Sequence, residues 1–207
     1  MEVEQPILSD SALIHGFTNE GGYEGSTRFL KNIMGMWILQ CIHKEINASM
    51  TYEEMAQAAV HSKYSGYIDA TNSRYLAPRN MIDEVLADLS EQKVCPPQEI
   101  GDIIRAVTYG LAVCYRDAVA EISQITGKQI DSINIVGGGS RNSTLNQMTA
   151  NLIGLPVYAG PVESTALGNI GAQMIRCGWI TSLNEFRNSI ASDSEMRTFL
   201  PDADSSE

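Results

Sequence analysis

Residues 133–142 constrain this chain more than any other stretch. A β-branched run, Ile133-Asn134-Ile135-Val136, ends in the triplet Gly137-Gly138-Gly139, and Ser140-Arg141-Asn142 follow directly. The run reads as a strand, and the polar cluster ahead of Leu145 and Met148 reads as the start of a helix capped by Asn142 or Ser143. Glycines between the two let the backbone bend sharply and let a ligand reach main-chain N–H groups with no Cβ in the way. The helix start adds free donors and a partial positive charge, which suits an anion such as phosphate. A plain tight turn is the competing reading of the same triplet.

Two familiar glycine loops do not fit. A Walker A loop ends in Gly-Lys-Ser/Thr, and no lysine follows Lys128. A dinucleotide fingerprint needs a third glycine, here Asn142, and an acidic residue after the second strand, where Gly160-Pro161 stands instead. An NAD-dependent enzyme is therefore disfavoured.

The net charge of -11 leaves no basic stripe to neutralise phosphate backbones, which argues against nucleic acid or an anionic membrane as partner. A single bound nucleotide answers to local donors and stays compatible with it. Cys41, Cys95, Cys114 and Cys177 form no Cys-x-x-Cys pair, so they read as reduced, buried thiols of a cytoplasmic protein. No apolar run reaches membrane-spanning length and no signal-peptide pattern opens the sequence. His15, His43 and His61 lack metal-ligand spacing.

Along the chain, residues 12–18 read as a strand, 19–22 as a turn and 27–30 as a short strand. A helix is expected over 32–46, with Ile33, Trp37, Cys41 and Ile42 on one side and Trp37 in the core. Thr51-Tyr52-Glu53-Glu54 is a capping box for a helix to about His61, and no catalysis is assigned to its glutamates. One strand, 67–69, sits in an otherwise irregular stretch from 64 to 78. Helices follow over 80–92 and 98–126, the second carrying an apolar stripe from Ile100 to Ile125 and ending at Gly127. Strand 132–136, a helix ended by Gly154, strand 155–159 and a helix over 164–177 complete a β-α-β-α order, which predicts parallel strands in an α/β layer. The small residues Ala166, Gly168, Gly171 and Ala172 indicate close packing against a neighbouring backbone, or a smooth wall beside a ligand. Residues 201–207 are expected to be a disordered tail.

The run from Ile135 to Asn142, then Leu145-Asn146-Gln147, then the run from Ala159 to Gly171, resembles the C-terminal domain of the FGGY carbohydrate kinases. Thr18-Asn19-Glu20-Gly21-Gly22 and the run from Arg28 to Trp37 agree, and Leu30-Lys31-Asn32-Ile33-Met34-Gly35 is similar to the rhamnulokinase branch. The resemblance implies one domain over 1–207: an actin-like, ribonuclease-H-like ATPase domain with a mixed sheet flanked by helices, lacking its first strands. It also implies the C-terminal nucleotide-binding half of a two-domain kinase acting on L-rhamnulose, with ATP and Mg²⁺ as cofactors. Gly137, Gly138 and Gly139 then form the nucleotide turn, Gly138 meeting the nucleotide through its backbone. Asn142 and Gln40 contact the nucleotide, and Asn32 contacts the sugar. Asn32 and Gln40, eight residues apart, would lie about 12 Å apart along one helix. Each has a plainer role as well: Asn32 and Asn142 as helix caps, Gln40 as an exposed polar position.

Members of this family extend upstream of the point where this sequence starts, and the aspartate base and the Ser-Gly-Thr phosphate turn belong to that upstream part. The expectation is a half inactive alone, whose partner is the missing N-terminal kinase domain. Its uncovered sheet edge predicts self-association or a weakly ordered N-terminus. The alternative reading is a non-catalytic nucleotide-binding or scaffolding module on the same fold.

Overall fold

In the computed structural model, which describes residues 1–192 and 196–203, one helix organises the molecule. Helix α5 (Ile100–Thr126) starts at Glu99, where the Asp102 carboxylate accepts from the amides of Gln98 and Glu99, and it ends at the left-handed Gly127. Its first half buries Ile103, Ile104, Val107 and Leu111 against helices α2 (Trp37–Glu45), α3 (Tyr52–His61), α4 (Met81–Glu91) and α6 (Ser143–Ile153). Its last turns carry Ile122 and Ile125 under a separate small core of Val3, Ala12, Phe17 and Phe29. The apolar stripe legible in the sequence therefore serves two cores at once, and burying it supplies most of the helix's stability.

The first core belongs to the helices and the second to an antiparallel sheet. Strand β3 (Thr27–Lys31) lies between β1 (Glu2–Val3) and β2 (Phe17–Gly21). A second, mixed sheet pairs β4 (Ile133–Ile135) parallel to β5 (Val157–Ala159), with β6 (Arg197–Phe199) antiparallel on the far side of β5. Helix α6 makes the crossover from β4 to β5, which fixes the β-turn-helix geometry inferred from the glycine run. Helices α7 (Ser164–Arg176) and α8 (Leu183–Ala191) pack on each other.

Several expectations need correction. Residues 12–14 are helical, not extended: the Ser9 hydroxyl accepts the Ala12 amide and starts α1 (Asp10–Ile14), so strand β2 begins only at Phe17. The turn falls at residues 22–26, because the Asn19 side chain exchanges two hydrogen bonds with the Ile7 backbone and stays in the strand. Helix α2 starts at Trp37, not near 32, and faces Ile38, Leu39 and Ile42 inward. Trp37 is 48% exposed rather than buried. Residues 67–69 form no strand; the extended chain there gives one bond, Ile68 N–H to the Ala106 carbonyl, and lies against α5. Cys95 and Cys177 are exposed, while Cys114 is buried. The N-terminal residues pair through β1 with β3, and the Met1 ammonium donates to the Phe29 carbonyl at 2.9 Å.

In α7 the space a Cβ would take at Gly171 is filled by the Phe186 ring at 2.5 Å, so the close neighbour is a side chain of α8 rather than backbone. Gly168 and Ala172 line a cavity of about 410 Å³ with Ile175, Leu183 and Arg187. Of the expected tail, residues 204–207 lie outside the described residues, and Asp202 ahead of them bonds Asn151.

One buried polar pair makes a stability test. The Tyr75 hydroxyl donates to Asp88 at 2.5 Å in the helical core, and burial first, then that carboxylate, pushes the phenol far above its ordinary range. Tyr75→Phe leaves a buried carboxylate with only the Gln92 amide on its other oxygen. It should cost about 1.5–3 kcal/mol, the loss typical of a hydrogen bond to a charged group; a denaturant midpoint unchanged from wild type would refute this.

Candidate functional site

Beyond β4 the chain makes a 3-10 turn, Gly137–Arg141, that opens with Gly137 at φ 74°, a left-handed conformation that a Cβ would strain. The Gly137 amide is not available to a ligand: it donates to the Pro161 carbonyl at 3.1 Å. Ser140 Oγ donates to the Gly137 carbonyl, the Asn142 amide to the Gly139 carbonyl, and the Asn142 side chain accepts from Leu145 to cap α6. The turn is thus locked at its two ends and open in the middle. A Cβ at Gly138 would meet no atom within 4 Å, and at Gly139 only Ile135 Cγ2 at 3.8 Å.

That open middle forms one wall of a cleft of about 520 Å³. Gly138, Gly139, Arg141 and Asn142 line it from the turn, Met36, Leu39 and Gln40 from α2, and Tyr52, Glu53 and Met55 from α3. Ile104 and Thr108 of α5 close the floor. A cleft of this size, with apolar walls interrupted by polar and charged side chains, suits a flat aromatic ring carrying hydrogen-bonding edges. The N-termini of α6 and α3 both border it, placing unpaired amides and positive dipole ends there. At α3, Thr51 and Glu54 form the reciprocal capping box; the Thr51 amide and hydroxyl hold the Glu54 carboxyl below its usual pKa.

Gln40, Gly138, Gly139 and Asn142, expected as nucleotide contacts from separate segments, therefore share one open cleft. Gly137 shapes the turn without lining it. Asn32 lies exposed in the extended segment between β3 and α2, outside the cleft. The shared helix with Gln40 does not exist, because α2 begins only after the left-handed Gly35. Sequence reasoning missed Tyr52, Met36 and Leu39 as cleft residues. The signal for Tyr52 was its place directly behind the Thr51 cap; its ring stacks on His43 with centroids 4.4 Å apart, a contact no periodicity announces. Among the described residues no group of three or more His, Cys, Asp or Glu is placed to hold a metal ion. No helix of the described residues is long and apolar enough to cross a membrane.

Residues 1–177 match the C-terminal domain of the FGGY family of carbohydrate kinases. The chain belongs to that family. It is 36% identical over 202 residues to a rhamnulokinase of Bacillus subtilis, covering 97% of this chain and 42% of that protein. A rhamnulokinase of Enterobacter sp. is 37% identical over 200 residues, covering 97% of this chain and 41% of its own. The chain thus spans less than half the length of these FGGY relatives. Its fold is similar to part of a ligand-bound xylulose kinase from Lactobacillus acidophilus, with a TM-score of 0.70 at 16% identity over 99% of this chain and 41% of the other. The actin-like ATPase fold of the FGGY kinases is therefore present, with its mixed sheet and flanking helices.

Proposed function

We propose that this chain is the adenine-nucleotide half of a sugar kinase that transfers the γ-phosphoryl group of ATP to L-rhamnulose, giving ADP and L-rhamnulose 1-phosphate. The observation that carries this reading is the convergence of Gln40, Gly138, Gly139 and Asn142 on one open cleft. The choice of sugar is supported by the names of the relatives and by the run Leu30–Gly35.

In this reading Gly138 and Gly139 offer a flat backbone surface to the base and ribose, Asn142 and Gln40 meet the polar edges of the base, and Gly137 sets the turn. Asn32, exposed beyond the cleft, serves the sugar side. Phosphoryl transfer is largely positioning plus neutralisation of phosphate charge. In this reading the base to the sugar hydroxyl and the groups that would hold Mg²⁺ come from outside this chain. The N-terminal kinase domain supplies both in the complete enzyme.

Titration of the chain with ADP, followed through the fluorescence of the exposed Trp37 beside the cleft, should give saturable binding, while NADH should give none. L-rhamnulose with Mg-ATP should show no turnover above background. Failure to bind ADP, or robust turnover by this chain alone, would overturn the reading.

A further inference from the structure

The glycine turn is held from outside its own segment. Ser140 is 2% exposed, and its carbonyl accepts two donors. One is the buried amide of Asn146, at 3.0 Å, from α6. The other is the Arg197 guanidinium of β6, at 2.7 Å, whose second nitrogen also donates to Ser143 Oγ at 2.9 Å. Arg197 thus spans the turn and the first residue of α6 with a rigid two-pronged fork, which a point charge could not do.

Arg197 is the first tooth of a longer zipper. Ser143, Gln147 and Asn151 recur every fourth residue along one face of α6. Gln147 donates to the Leu200 carbonyl at 2.7 Å, and Asn151 exchanges two bonds with Asp202. Strand β6 ties the same segment to β5 by antiparallel pairing. Residues 197–202 therefore form a strap bound to α6 on one side and to the sheet on the other. The strap lies beyond residues 1–177, which carry the family match.

We infer that this C-terminal strap presets the glycine turn for its ligand, and that Arg197 is a positioning residue for nucleotide binding. The physical need is specific. Gly138 and Gly139 have no side chains to pack, so the middle of the turn gains its order only from bonds at its ends. Order imposed before binding lowers the entropy the ligand must otherwise remove. The ligand part of this inference rests on the proposed nucleotide site; the bracing of the turn does not.

Amide hydrogen exchange on the ligand-free chain, paired with ADP titration, separates the two. Arg197→Gln should raise exchange of the Asn142 amide, which closes the turn on the Gly139 carbonyl, about tenfold, the effect of losing a charge-assisted bond, with the centre of α6 and β5 unchanged. ADP affinity should fall by a similar factor. Arg197→Lys, with a single donor head, should recover part of both. Asn151→Ala, which opens the other end of the strap, should leave exchange in the turn at the wild-type level. Ser143→Ala, which removes one prong's partner, should give a smaller rise than Arg197→Gln. Unchanged exchange in the turn of Arg197→Gln, or a uniform rise across the whole α6-β5 unit, would overturn the bracing. If the braced wild type binds no ADP, it is the nucleotide reading that fails, and the exchange result stands apart from it.

Discussion

Gly138→Ala is expected to lower ADP affinity about tenfold, a loss of about 1.4 kcal/mol, while leaving the folded chain at least as stable as before. The added methyl meets no protein atom within 4 Å, and Gly138 does not occupy the left-handed region, so the native backbone accepts alanine without strain. Gly→Ala at such a position usually stabilises a protein by about 0.4–1 kcal/mol through the unfolded chain. Gly138 lines the cleft shared with Gln40 and Asn142, where a methyl would take space from a nucleotide approaching the backbone. Calorimetric titration and thermal melting of the same preparation test both halves. An ADP affinity within twofold of wild type would show that the cleft takes its ligand elsewhere.

Gly110→Ala has the opposite signature: a large loss of stability at a site remote from any proposed ligand contact. A Cβ there would sit 2.3 Å from the Ile68 carbonyl oxygen and 3.0 Å from Ile68 Cγ1, where the segment after α3 crosses α5. Alanine gains roughly 1 kcal/mol of helix propensity over glycine, but overpacking a core typically costs about 1–3 kcal/mol, more when backbone must move. Here the obstacle is backbone, so the clash wins. The expected net loss of about 2 kcal/mol lowers Tm by roughly 4–8 °C for a chain of this size. Circular dichroism melting decides the matter, and a Tm equal to or above wild type would mean that the helix and the 64–78 segment are not packed as described.

These two glycines show how differently the sequence speaks about one residue type. Gly138 was legible because it stands in a triplet between a β-branched run and a capping asparagine, a local pattern whose strand, turn and helix all formed. Gly110 is an isolated glycine in the middle of a long helix, and nothing within a few residues announces that Ile68 crosses it. The same contrast holds for whole elements. The capping box at Thr51, the α5 stripe ended by Gly127 and the Gly154 stop are local signals, and each marked its element's end. Residues 12–14 read as a strand in the sequence because three consecutive apolar residues, Ala12, Leu13 and Ile14, are too few to reveal a period, while the Ser9 cap settles them as helix. The sequence overstates the length of α2 because Ile33 and Met34 continue an apolar pattern that the extended segment before Gly35 uses instead to pack on the helical core. Helix α8 and strand β6 went unread because they carry few buried apolar residues, and β6 is held mainly by pairing and side-chain bonds.

The sequence by itself therefore determined the parts of this protein whose causes lie within one turn or one strand: the capped helices, the glycine bend, the parallel β-α-β unit and the family to which these runs belong. Only the tertiary structure decided that Gln40 and Asn142 face one cleft, that Asn32 stands apart from it, and that a strap from residues 197–202 grips the turn. Those facts depend on contacts between residues far apart in sequence: 57 positions between Ser140 and Arg197, and 106 between Met36 and Asn142. Such contacts are fixed by the packing of elements against one another, which no local pattern of residues records.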